Sequence, residues 1–235
     1  VKKEGREARE GAIVTAESNE AVSIVEVNAE TDFAVNNDIF KTFAANVAQD
    51  AVASRTSDAE AFLKQPYSQD ASMNIDEYRA SVIAAIGENI QIKRLSSFDK
   101  KPETSIGVYS HMNGKIVSLV EIVGSDSAVD LARDIAMHIA AEAPEFLSED
   151  DVPEETKDKE KEIARSQVEG KKPDHIIGKI IEGKLNAYFN NFCLLHQKYI
   201  KDSDLTVAQL LEKVGKEQGK TLSISHFVRW KVGGK

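Results

Sequence analysis

The sequence predicts an α+β protein with two related subdomains, each a small antiparallel sheet with helices, and an antiparallel helical hairpin that follows the second copy as a projecting arm. Three observations lead there. The strand-like run Val22-Ser23-Ile24-Val25-Glu26-Val27 returns as Val117-Ser118-Leu119-Val120-Glu121-Ile122. A helical stretch follows each copy, with Asp38-Ile39 and Phe43-Ala44-Ala45 answered by Asp134-Ile135 and Ile139-Ala140-Ala141. A recurring order of hairpin and helix is an internal repeat. After the second copy, a charged helix and an apolar-striped helix flank Gly170-Lys171-Lys172-Pro173, a short break of the kind that joins antiparallel helices.

Residues 1–10 are charged and carry no sustained apolar stripe, so they read as a linker. Ala12 to Glu17 and Val22 to Val27 are β-prone runs separated by Ser18-Asn19-Glu20, a hairpin-turn composition. From Asp38, an N-cap residue, Ile39, Phe40, Phe43, Ala44, Val47, Ala48 and Ala51 recur at helical spacing along one buried face. A short helix follows Ser57, and a firmer one runs from Asp76 to Ala85 and ends near Gly87. Glu88 to Leu95 alternates as a strand.

In the second copy, Ile106 to Met112 and Lys115 to Val123 flank Asn113-Gly114, which reads as a two-residue hairpin turn with positive φ at both positions. After Ser127 an amphipathic helix runs to Glu142 and stops before Pro144. Ser148 and the acidic residues after it open a charged helix reaching Val168. From Asp174, a second helix places Ile176, Ile177, Ile180, Ile181, Leu185, Tyr188 and Phe189 on one stripe. Thr206 with Gln209 forms a capping box for a helix to Val214, and Leu222 to Val232 alternates as a last strand. The expected layout is therefore a linker at 1–10, a first α+β subdomain at 11–98 with 222–232 completing it, and a second at 99–147. A helical-hairpin arm at 148–192 and a C-terminal helix and strand at 193–235 complete it.

With 39 acidic and 30 basic residues the chain carries a formal charge of -9, a field that repels phosphate backbones. No direct nucleic-acid partner is expected. The single cysteine, Cys193, forms no internal disulfide and points to a reducing, cytoplasmic setting. No apolar run approaches the roughly 20 residues of a membrane helix. The five histidines form no HExxH or short-spaced Cys/His pattern, and the glycines form neither GxGxxG nor a P-loop. No metal, cofactor or catalytic constellation is expected. Asp150-Asp151 and Glu154-Glu155 read as solvated carboxylates favouring a helix start, His138 as a satisfied core histidine and Cys193 as a small buried hydrophobe. His111, two residues before the hairpin turn, reads as a surface histidine.

Phe33 does not fit its polar surroundings, NAETDFAVNN. The second copy makes the same connection with VGSDSAVDLAR, so the architecture does not require an aromatic there. Phe33 is either folded back into the core or displayed for a partner, since exposed aromatics are common interface anchors.

Four motifs resemble the elongation factor Ts family: VEVNAETDFAVNNDIF around Thr31-Asp32-Phe33, IGENIQIKRL at 86–95, DIAMHIAAEAPEFLSEDDVPEE at 134–155 and HFVRWKVGG at 226–234. They are spread over nearly the whole chain. The resemblance implies a duplicated α+β core with an inserted helical hairpin, and a guanine-nucleotide exchange factor for elongation factor Tu. It implies that Asp32 and Phe33 enter the nucleotide-binding domain of that GTPase, with Thr31, Ile86 and Gly87 beside the contact and His111 at a hairpin tip. Here SHMNGKI stands in place of the family's glycine-rich tip. The family's small N-terminal helical domain has no counterpart in this sequence, and KKEGREAREG resembles the connector that follows it. The arm is expected to give secondary contacts or self-association. The competing expectation is an RNA- or ribosome-associated protein using the basic residues of the arm with Lys93 and Arg94.

Overall fold

A computed structural model of the chain describes residues 5–168 and 173–234. The expected break at Gly170-Lys171-Lys172 lies outside the described residues. In the first unit, β1 (Glu10–Glu17) and β2 (Ala21–Ala29) form an antiparallel hairpin from Glu10 opposite Ala29 to Glu17 opposite Val22. Its turn is held by Ser18, whose Oγ accepts from the N–H groups of Glu20 and Ala21. A one-turn helix, α1 (Asp32–Asn36), leads into α2 (Asp38–Ser54) and α3 (Ala59–Leu63). A small strand pair, β3 (Pro66–Tyr67) and β4 (Asp70–Asn74), precedes α4 (Ile75–Ile86). β5 (Ile90–Asp99) then returns to the free edge of β2, giving the order β1-β2-β5.

The second unit repeats this order. β6 (Thr104–His111) and β7 (Ile116–Val123) form the hairpin and α5 (Val129–Glu142) crosses it. The arm follows, α6 (Glu154–Val168) and α7 (Asp174–Phe192). The strand pair β8 (Lys198–Tyr199) and β9 (Asp202–Thr206), α8 (Val207–Gln218) and β10 (Ser223–Lys231) complete the unit. The duplication thus reaches beyond the hairpin and helix. Asn74 with Glu77 and Thr206 with Gln209 close matching capping boxes, and Ile75 N–H and Val207 N–H donate to the carbonyls of Gln65 and Gln197, each at 3.0 Å.

Two sequence expectations are corrected here. β10 pairs with β7, giving the order β10-β7-β6, so residues 222–232 complete the second sheet and not the first. Period-two alternation tells a strand which face is buried but not which neighbour it joins, and the inserted arm separates β10 from its partner by most of the second half. The helix match also shifts, by about two turns. Ser23 Oγ donates to the carbonyl of Ala48, and Ser118 Oγ donates to that of Ala136, which makes Ala48 and Ala136 the equivalent positions. Asp50 and His138 follow, as acceptors for the N–H groups of Ser68 and Ile200. Alanine-rich apolar stripes look alike in several registers, so periodicity alone does not choose among them.

The two sheets pack face to face, with Ile13, Val22 and Ile24 against Ile106, Val117 and Leu119. Helices cover the outer faces. Phe40, Phe43 and Val47 of α2 join Val25 and Val27, and Ile135 and Ile139 of α5 join Val120 and Ile122. β2 is therefore buried along its whole length, as a central strand between two cores must be. Ile39, expected on the buried stripe of α2, is 45% exposed. At the base of the arm, Val152, Phe189 and Cys193 form a separate small core. Burial pushes the Cys193 thiol up to about 11, with the charges of Glu149 and Asp151 adding to the effect.

Candidate partner-binding site

β2 ends at Ala29, and the chain turns through Glu30 and Thr31 into α1. Thr31 is the N-cap, extended at φ -130°, and its Oγ1 accepts from Ala34 N–H at 3.2 Å. At the other end, Asn37 N–H donates to the Ala34 carbonyl, while Asn37 Oδ1 accepts from Ile39 N–H at 2.8 Å and caps α2. A single helical turn can bury one side only. Ala34 and Val35 take that side, so Asp32, Phe33 and Asn36 face outward. Phe33 is 84% exposed, the most exposed of the large apolar side chains among the described residues. Of the two readings the sequence left open, burial is excluded by this exposure.

The turn is fastened to the far end of the same unit. Thr31 N–H donates to Glu88 Oε2 at 3.0 Å and Thr31 Oγ1 donates to Glu88 Oε1 at 2.7 Å. In the reciprocal direction, Asn89 N–H donates to Glu30 Oε1 at 2.7 Å. Arg6 pairs with Glu30 at 3.6 Å, and its carbonyl accepts from Asn89 Nδ2. Gly87 makes this possible. It ends α4 in the left-handed conformation, φ 89°, so that the chain reverses and Glu88 points at Thr31. Ile86, half-buried, packs on the first core. The structure thus gathers Thr31, Asp32, Phe33, Ile86 and Gly87 into one cluster through Glu88, a residue that sequence reasoning passed over. Its signals were its place directly after a helix-ending glycine and inside the IGENIQIKRL motif.

His111 stands apart, at the tip of the second unit's hairpin, with its ring stacked on Tyr109 at 6.2 Å. The tip is longer than the expected two-residue turn. His111 pairs with Ile116, and Met112, Asn113 and Gly114 all have positive φ. The extra length lets the tip dock on the first unit, where Ile13 N–H donates to the Gly114 carbonyl at 2.8 Å and Lys115 pairs with Glu10 at 2.7 Å. Glu10 lies opposite Ala29, two residues before Thr31, so His111 and the 66% exposed Met112 are carried toward the end of the sheet that bears α1. Ile39 lines a shallow groove between α2 and α4 with Thr42, Tyr78, Ser81 and Ala85, next to α1 in sequence.

Lys93 and Arg94 bind within the chain. Lys93 donates to the Gly234 carbonyl, and Arg94 pairs with the buried Glu26 at 2.7 Å while its guanidinium lies 4.4 Å from the Trp230 ring centre. Among the described residues, no group of three or more His, Cys, Asp or Glu side chains is placed to hold a metal. Nor, among the described residues, is any helix long and apolar enough to cross a membrane.

A duplicated α+β scaffold with an inserted helical arm, carrying one exposed aromatic on a capped turn, is the class that the fold and this site define. The family described as "Elongation factor TS" matches residues 30–234. The chain belongs to the elongation factor Ts family, and membership implies nucleotide exchange on elongation factor Tu in translation elongation. It is 51% identical over 233 residues to elongation factor Ts of Protochlamydia amoebophila, covering 99% of this chain and 82% of that one. To those of Chlamydia felis and Chlamydia muridarum it is 44% and 43% identical over 232 residues, with the same coverage.

Proposed function

We propose that the chain promotes GDP release from elongation factor Tu by inserting Asp32 and Phe33 into its nucleotide-binding domain, as a cytoplasmic exchange factor that itself makes and breaks no covalent bond. The observation that carries this reading is Phe33, 84% exposed on a backbone that is capped and fastened on both sides. A large apolar side chain held out in this way costs free energy in the free chain and repays it only in a complementary pocket. Ile86 and Gly87 border the insertion, and His111 with its hairpin tip makes a second contact.

Exchange then follows from linkage. A factor that binds the nucleotide-free GTPase more tightly than the GDP form weakens GDP by the same ratio. A thousandfold weakening takes about 4 kcal/mol of coupling. One buried aromatic anchor contributes roughly 2 to 4 kcal/mol, so Phe33 supplies a large part. The insertion acts by separating the elements that hold Mg²⁺ and the phosphates in the partner. The chain then needs no nucleotide site of its own. The arm contributes secondary contacts or self-association.

Timing release of labelled GDP from loaded elongation factor Tu tests this. Phe33→Ala is expected to slow release by about 30-fold or more at equal concentration and to leave the urea midpoint unchanged, because the side chain packs on little in the free chain. Release as fast as with the unaltered chain refutes the insertion.

A further inference from the structure

We infer that Glu88 is the positioning residue of the exposed Asp32-Phe33 turn, setting the direction of Phe33 through Thr31; this rests on the insertion reading above. Phe33 is 84% exposed and has little packing of its own, so its direction is inherited from the backbone of Thr31 to Ala34. At its far end that backbone is held by Asn36 Nδ2 on the Asp32 carbonyl and Asn37 N–H on the Ala34 carbonyl, and at its entry by the Thr31 hydroxyl. Thr31 Oγ1 has a single proton, which it gives to Glu88 Oε1 at 2.7 Å, and this turns its lone pairs toward Ala34 N–H at 3.2 Å. The second carboxylate oxygen takes Thr31 N–H at 3.0 Å. One carboxylate therefore fixes both the entry of the turn and the cap of the helix that carries Phe33, with bonds strengthened by its charge.

The second unit offers an internal comparison. Gly219 ends α8 as Gly87 ends α4, and Lys220 follows it as Glu88 follows Gly87. Lys220 Nζ reaches Ser125 Oγ at 3.2 Å, in the connection from β7 to α5. Both units fasten this connection from the residue after the glycine. Only the first uses a two-point carboxylate on backbone and cap together, and only there does the connection carry an exposed aromatic. A pre-set turn avoids the ordering cost that a loose one meets on binding.

The test measures release of labelled GDP from GDP-loaded elongation factor Tu against concentration of the full chain. It compares unaltered protein, Glu88→Gln, Phe33→Ala and the double variant, each with its urea midpoint. Glu88→Gln keeps the shape but turns an NH2 toward one of the two Thr31 donors. It is expected to raise the half-saturating concentration about tenfold with Phe33 present and less than twofold in the Phe33→Ala background, since coupled residues are non-additive. Thr31→Ser, which keeps the hydroxyl, is expected to behave as the unaltered chain, and Thr31→Val to behave as Glu88→Gln. Equal losses in both backgrounds would overturn the inference, because Glu88 would then act on the fold at large. No loss on Glu88→Gln overturns it while leaving the insertion reading intact. Full exchange by Phe33→Ala removes the insertion reading itself and the inference with it. If Glu88→Gln does not fold, the Thr31→Val and Thr31→Ser pair decides by the same criteria.

Discussion

Replacing Gly114 with alanine tests whether the second hairpin is locked onto the first sheet. Gly114 is the last of three consecutive residues at positive φ, with 51° at Met112, 53° at Asn113 and 83° at Gly114. A side chain in that region costs about 1 to 2 kcal/mol. A Cβ there would also sit 2.5 Å from the Ile13 carbonyl oxygen and 3.2 Å from Ile13 N. Those are backbone atoms and cannot swing aside. Relief requires the tip to lift, which gives up the 2.8 Å bond from Ile13 N–H and leaves that donor unsatisfied, about 1 to 3 kcal/mol more. The expected loss is about 2 to 5 kcal/mol. Gly219→Ala is the control, because its φ is 64° but nothing lies within 4 Å of its Cβ position, so only about 1 kcal/mol is expected. Urea unfolding followed through the single tryptophan, Trp230, gives both numbers. Equal losses for the two variants would refute a locked docking and would free His111 from the position described above.

Arg94→Ala strips the fully buried Glu26 of its cation, leaving, among the described residues, the donors of Asn28 and Gly233, and is expected to cost about 3 kcal/mol in urea unfolding. It should also shift Trp230 emission, because the guanidinium covers that ring in the native chain. His138 is fully buried, with Nδ1 accepting from Ile200 N–H and Nε2 bonded to Gln197 Oε1, which requires the neutral ring. Burial holds its pKa below the ordinary 6.5, only partly opposed by the Gln197 bond and the Glu142 charge. The unfolded chain therefore takes up a proton that the folded chain refuses, and stability falls as pH drops through about 6.5 toward the folded value. Urea midpoints at about pH 7.5 and about pH 5.5 should differ less in His138→Gln, and an unchanged difference would show the acid sensitivity to arise elsewhere.

Much of the fold was legible because its signals are local. Thr206 and Gln209 mark a helix start through their own hydrogen bonds, and Asp38 to Ala51 announces a helix by spacing alone. The shared run at Val22 and Val117 marked the duplication, because a buried central strand with one inward Glu is a demanding pattern to repeat. The short strand pairs were not legible. Pro66–Tyr67 and Lys198–Tyr199 are two residues each, too short for alternation to register, and only their repeated place before α4 and α8 gives them meaning. Phe33 stood out as an aromatic in a polar turn, yet its exposure depended on which side of a one-turn helix Ala34 and Val35 would claim.

The sequence by itself determined the α+β class, the repeat, the arm and the motif that places the chain in its family. The first three rest on spacing along the chain and on the hydrogen-bonding habits of individual residues, and the last on the likeness of whole motifs to those of the family. The tertiary structure decided that β10 joins β7, that Gly114 docks on Ile13 and that Glu88 holds Thr31. Each of these joins residues far apart in the chain, and periodicity records which face of an element is apolar but never what it will meet.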